Sequence, residues 1–120
     1  MPKFDPQAHG FTPLADAEAL GAVLTQSHDT TTLLYLHDPH CPISRRAWGE
    51  MQQLPQEALG AAYLVDVSRQ HDVKKAVEAQ TGVRHESPQA IILHNGKAVW
   101  DASHFAITAD DVAKRIAAQG

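Results

Sequence analysis

The apolar run Thr32-Leu33-Leu34-Tyr35-Leu36 is cut short by His37-Asp38-Pro39-His40 and followed at once by Cys41-Pro42. That order sets a strand directly against the start of a helix. A short apolar run bounded by turn residues suits a strand buried on both faces. Cys41-Pro42 then carries a cap-then-proline signature, because proline at the first helical position lacks only an N–H that has no helical partner. Ile43, Ala47, Met51 and Leu54 recur every three or four residues, which predicts a helix over 42–54 with one buried face. Ala62 to Val67 reads as a second strand. Two strands joined by a helix make a parallel pair.

The flanking segments complete the pattern. Residues 1–11 are polar and contain proline, and are expected to form an irregular lead-in. Thr12-Pro13 reads as an N-cap and helix start, with Leu14, Ala17, Leu20 and Val23/Leu24 at helical spacing to about Ser27. Ser68 is expected to cap a third helix with Val73, Ala76 and Val77 facing inward. Gly82 would close that helix in a left-handed conformation, with Val83 placed for the hydrophobic contact of a Schellman end. Pro88 to Leu93 reads as a third strand, Asn95-Gly96 as a two-residue hairpin, and Ala98 to Ala102 as its return. Thr108 with Asp111 resembles a capping box, opening a last helix that buries Val112, Ile116 and Ala117. The order α-β-α-β-α-β-β-α predicts a single α/β domain over 1–120, a four-stranded mixed sheet with helices on both faces.

A length of 120 residues suits one domain, and a net charge of -4 argues against a phosphate-binding basic face. No apolar run approaches the roughly 20 residues of a membrane span, and the first residues hold no apolar leader. A cytoplasmic, reducing compartment is the expectation.

The chain has one cysteine, so no internal disulfide can staple it and any redox role must pass through an intermolecular bond. Free cysteine is also among the most buried residue types, and an inert buried thiol is the plain alternative. Position speaks for the reactive reading. Between a strand end and the first helical turn, backbone N–H groups lack partners and the helix dipole favours an anion. A thiolate is such an anion, so the Cys41 pKa should fall. Pro42 has no N–H, which leaves Ile43 and Ser44 as the amide donors. Ser44 stands where a Cys-x-x-Cys pair has its second cysteine; its hydroxyl can donate to the sulfur but cannot resolve a mixed disulfide. Chemistry here is monothiol.

The segment Thr81-Gly82-Val83-Arg84, Ser87-Pro88 and Asn95-Gly96-Lys97 resembles the second half of a thioredoxin. More narrowly, three segments together resemble the YtxJ-type, monothiol bacilliredoxin-like family over nearly the whole chain. They are His37 with Cys41-Pro42-Ile43-Ser44, the block from Thr81 to Gln89 with its His85-Glu86-Ser87-Pro88-Gln89, and Ser103-His104-Phe105-Ala106-Ile107-Thr108. The resemblance implies a thioredoxin-like fold, Cys41 as redox cysteine, Ser44 in the place of the resolving cysteine, and Pro88 as a cis-proline facing the sulfur. It further implies bacillithiol as co-substrate and S-thiolated proteins as clients. Two departures stand out. The stretch from Gly82 to Pro88 is one residue longer than in ordinary thioredoxins, and Asp38-Pro39-His40 replaces a Ser/Thr-rich approach.

Several neighbours are candidates for supporting roles. A cis Ser87–Pro88 bond would turn the Ser87 backbone toward the cysteine, free to pair with an extended substrate segment. Arg45 and Arg46 lie one turn into the helix that Cys41 opens, and one of them could meet an anionic group of the small thiol; a solvated helix face is the plain alternative. His40 could lower the thiol pKa as a cation, or be an exposed loop residue. His85 and Glu86 are expected near the site, and Trp48 and Trp100 to serve packing. His37-x-x-His40-Cys41 has metal-like spacing, but structural zinc sites carry several cysteines and His71, His85, His94 and His104 are scattered, so neither metal nor bound cofactor is expected. Two other readings compete with a monothiol oxidoreductase: a non-catalytic thioredoxin-fold binding module with a passive thiol, and an iron–sulfur or zinc carrier.

Overall fold

The computed structural model describes residues 6–55 and 61–119. Its elements are β1 (Thr12–Pro13), α1 (Ala17–Gln26), β2 (Thr32–His37), α2 (Pro42–Met51), β3 (Ala61–Asp66), α3 (His71–Thr81), β4 (Gln89–His94), β5 (Lys97–Ser103) and α4 (Ala109–Ala118). The sheet order is β1-β3-β2-β4-β5, with β1, β3 and β2 parallel and β4 and β5 antiparallel to their neighbours.

Strand β2 is central and buried throughout. Its side chains alternate between two cores, as a period of two requires. Leu33 and Tyr35 join Ala47, Trp48 and Met51 of α2 and Val112 and Ile116 of α4 on one face. Leu34 and Leu36 join Leu20 and Val23 of α1 and Val73 and Val77 of α3 on the other. Helices thus cover both faces of a mixed sheet.

The structure corrects the sequence reading at several places. Among the described residues the sheet has five strands, not four. Thr12-Pro13 is no helix cap: it forms the extra edge strand, pairing with Tyr63 and Leu64. Edge strands tolerate proline, whose missing N–H costs no ladder bond there. Helix α1 starts later, capped by Asp16, whose carboxylate accepts the Ala19 N–H at 2.8 Å. Residues 6–9 of the expected irregular lead-in form a 3₁₀ turn, and Phe11 enters the core. Ser68 does not cap α3, which starts three residues later at His71; its hydroxyl and N–H both donate to Asp66 Oδ1 in the turn before the helix. Gln70 precedes the helix instead; its side chain accepts from the Asp66 N–H at 3.0 Å and donates to the Leu14 carbonyl at 2.7 Å, tying α3 to the sheet. Helix α2 ends at Met51, although Leu54 is buried beyond it. In α4, Val112 and Ile116 are buried but Ala117 is exposed, and Ala113 packs in its stead.

Two glycine positions carry their turns. Gly82 (φ 74) ends α3 with its N–H on the Glu78 carbonyl. The Val83 N–H goes to Thr81 Oγ1, so the end is a single left-handed cap and not a Schellman motif. Asn95 (φ 54) and Gly96 (φ 78) both lie in the left-handed region, as a tight hairpin demands. The hairpin tip docks on α1, where the Ser27 carbonyl and hydroxyl accept the Asn95 and Gly96 N–H groups, each at 2.9 Å. Among the described residues, no helix is long and apolar enough to cross a membrane.

Candidate active site

Cys41 is the N-cap residue of α2, with extended backbone (φ -101, ψ 124) and Pro42 at the first helical position. Its approach is shaped by Asp38, whose carbonyl accepts the Cys41 N–H at 3.1 Å and whose carboxylate accepts the His40 N–H at 2.9 Å. Cys41's own carbonyl accepts the Arg45 N–H at 3.0 Å, closing the first helical turn. The residue is half-exposed, so the sulfur faces a place that solvent reaches.

The Cys41 pKa is lowered from the ordinary thiol value. The backbone N–H of Ser44 contributes most, then that of Ile43; partial burial opposes, the Ser44 hydroxyl assists, and the Asp38 charge opposes. Amide donors at a helix start therefore outweigh desolvation and a like charge. The Ser44 side chain is buried and its Oγ has no hydrogen-bond partner of ordinary geometry, which leaves its proton free to turn to the sulfur once that sulfur is ionised.

Beneath this turn lies a polar pair in an aromatic bed. The Tyr35 hydroxyl donates to the Ser44 carbonyl at 3.0 Å and meets His37 Nδ1 at 3.1 Å. Tyr35 stacks on Trp48 (5.9 Å, 22°) and meets Phe11 edge-on. The His37 ring lies 5.4 Å from Tyr35 and 5.9 Å from Trp48. Sequence reasoning counted His37 within the motif that carries the family resemblance but gave neither it nor Tyr35 a role toward the sulfur. The available signal was their spacing of two in a strand that leads into Cys41, which sets both on one face.

Pro88 is buried, and the Ser87–Pro88 peptide bond is cis. Gln89, the next residue, pairs with Leu36 of β2 and Ser103 of β5. Pro88 therefore sits at the sheet end from which β2 runs through His37 to Cys41. Its carbonyl accepts the His104 N–H at 3.1 Å. Gln89 braces the preceding loop, accepting the Glu86 N–H at 3.3 Å and donating to the Arg84 carbonyl at 3.0 Å. Ser87 Oγ is buried without a partner.

The other sequence candidates spread outward. His85 turns to α3: its N–H donates to the Glu78 carboxylate, and burial with Lys74 lowers its pKa against Glu78 and Glu86. Glu86 faces His104 at 3.9 Å, both half-exposed. His40 and Arg45 are exposed, and the charge acting on the sulfur is that of Asp38. The Arg46 guanidinium lies 5.3 Å over the ring of Phe105, which is 62% exposed. Trp48 is core, while Trp100 is half-buried under Arg115. Among the described residues, no three His, Cys, Asp or Glu side chains are grouped as a metal ion would require.

Comparison with known proteins places this geometry. The family model described as monothiol bacilliredoxin BrxC matches residues 12–112. The chain belongs to the monothiol bacilliredoxin family. Among solved structures similar to this bacilliredoxin-family chain, one is a thioredoxin-fold protein proposed to be an oxidoreductase. It shows a TM-score of 0.80 at 25% identity, over 93% of this chain and 97% of its own. Thioredoxin of Fasciola hepatica follows with 0.72 at 15% identity, over 92% and 100%. Thioredoxin of Trypanosoma brucei brucei reaches 0.73 at 12% identity, over 98% and 96%. The two thioredoxins establish the fold, and the family supports a thiol redox function for it.

Proposed function

We propose that the chain is a monothiol thiol-disulfide oxidoreductase that removes a low-molecular-weight thiol, bacillithiol, from mixed disulfides on client proteins. The carrying observation is Cys41 itself, half-exposed at the start of α2 with its ionised form favoured by the Ser44 and Ile43 amides. The thiolate attacks the small-thiol sulfur of the client's mixed disulfide. A new S–S bond forms to Cys41, the old one breaks, and the client sulfur leaves as thiolate and takes a proton. A second small-thiol molecule, as thiolate, then attacks its counterpart on Cys41. The symmetric small-thiol disulfide departs and Cys41 is restored. Over the cycle the client's mixed disulfide is exchanged for the symmetric small-thiol disulfide, and the incoming small thiol supplies the reducing equivalent that frees the client thiol.

Other residues take supporting parts in this reading. Ser44 donates to the sulfur and cannot displace the adduct, which makes the second molecule necessary. The Ser87 backbone before Pro88 offers an edge for an extended client segment. Arg45, exposed one turn into α2, is the counter-charge for an anionic thiol, and His40 lies exposed in the turn that leads into Cys41. A reducing cytoplasm suits such a cycle. An exposed sulfur with a lowered pKa counts against a binding module with a passive thiol.

The test is to mix reduced protein with oxidised bacillithiol and weigh it intact. One adduct is expected on the native chain and none on Cys41→Ala. No adduct on the native chain, or equal labelling of both, removes the assignment.

A further inference from the structure

The thiol chemistry above makes no use of Tyr35 and His37, yet their hydrogen bonds end at the cysteine's own helical turn. A phenol has a single proton. Since the Tyr35 proton lies on the Ser44 carbonyl at 3.0 Å, the tyrosine oxygen can only accept from the ring nitrogen 3.1 Å away. Nδ1 of His37 therefore carries a hydrogen, which fixes the tautomer of the neutral ring. The donors run in one direction, His37 to Tyr35 to Ser44. Ser44 is also the residue whose N–H contributes most to the thiolate.

We propose that Tyr35 and His37 are positioning residues for the Cys41 thiolate: their hydrogen-bonded pair clamps the first turn of α2 through the Ser44 carbonyl and so keeps the Ser44 and Ile43 amides on the sulfur. This rests on the thiolate reading of Cys41. A helical carbonyl already accepts the N–H four residues on, and its second lone pair takes the tyrosine, so the clamp adds to the helix without competing with it. That fourth residue is Trp48, whose ring stacks on Tyr35. One aromatic contact and one hydrogen bond thus hold the same turn from two sides.

The protonation states are stable through the neutral range. Burial and the Cys41 charge push the Tyr35 pKa well above its ordinary value, so the hydroxyl stays a donor. Burial lowers that of His37 to about 4, against the opposing charges of Asp66 and Asp38. The pair therefore adds no net charge beside the sulfur and acts through position alone.

The experiment measures the rate of Cys41 alkylation by iodoacetamide against pH in the full chain. It compares the native protein with Tyr35→Phe, His37→Asn and His37→Leu, each checked for folding by near-UV circular dichroism. Tyr35→Phe keeps the ring and loses the clamp, and its midpoint should rise by about half a pH unit or more. His37→Leu should move the same way. His37→Asn, whose side-chain amide can supply the lost N–H, should stay at the native midpoint. Native midpoints in both Tyr35→Phe and His37→Leu overturn the proposal, and a shift in Tyr35→Phe alone removes the histidine's part. If Tyr35→Phe does not fold, the contrast between His37→Asn and His37→Leu decides. A native midpoint at the ordinary thiol value overturns the thiolate reading itself, an outcome distinct from unmoved variants around a lowered one.

Discussion

Asp38 acts on Cys41 in two opposed ways: its carbonyl accepts the Cys41 N–H at 3.1 Å, while its carboxylate is the charge that resists ionisation of the Cys41 thiol. The aspartate shapes the turn that presents the sulfur, at some cost to the thiolate. Asp38→Asn separates the two effects, because an amide oxygen can still accept the His40 N–H while the charge is gone. The thiol midpoint should fall by about a few tenths of a pH unit, with faster alkylation at pH 6 to about 7 and an unchanged melting temperature. A rise in the midpoint would show that the turn geometry outweighs the charge.

Ser44→Ala removes a buried hydroxyl that lacks an ordinary partner and favours the ionised sulfur. The alkylation midpoint should rise by roughly a few tenths of a unit. Stability should hold or improve slightly, since no buried partner is left unpaired by the change. Urea unfolding of the reduced protein provides the second measurement. A loss above about 1.5 kcal/mol would mean that the hydroxyl serves the fold and not the sulfur.

His37 makes stability depend on pH in the acid range. Its pKa is lowered to about 4 in the folded protein from 6.5 as a free side chain, so the unfolded chain binds the proton more tightly between those values. Stability is therefore greatest above pH 6.5 and is lost as pH falls toward 4. By pH 4.5 the loss from this group should reach about 2–3 kcal/mol. Urea midpoints at pH 7.5 and 4.5 for native protein and His37→Asn check this, the variant having the smaller difference. Equal differences would assign the acid loss to other groups.

Ser27 joins the hairpin tip to α1. Its fully buried hydroxyl accepts the Gly96 N–H at 2.9 Å and donates to the Leu24 carbonyl at 2.6 Å. Ser27→Ala strands the Gly96 N–H and should cost about 1–3 kcal/mol in urea unfolding, with Cys41 alkylation unchanged. A cost below about 0.5 kcal/mol would mean that water replaces the serine at the tip.

Local chemistry made some features legible in the sequence and hid others. The Cys41-Pro42 pair marked the start of α2 because a proline ring and its missing N–H fit the first helical position and few others. Gly82 and Asn95-Gly96 marked turns that need positive φ. Thr12-Pro13 misled because the same dipeptide suits a cap and an edge strand; the Asp16 carboxylate, four residues on, decided the matter. Ser68 misled because a serine suits a turn as well as a cap; it sits in a turn with Asp66, and the helix begins only at His71. The Tyr35–Ser44 contact had no local signature at all. It depends on how α2 lies against β2, which only packing determines.

The fully buried β2 strand divides the protein into two compartments. Leu33 and Tyr35 look into the layer that carries the sulfur's helix, and Leu34 and Leu36 into the layer of α1 and α3. Changes on the far side can therefore raise or lower melting temperature while leaving reactivity alone, since substitutions without shared partners add independently. The thermostat and the reagent of this molecule occupy opposite sides of one wall.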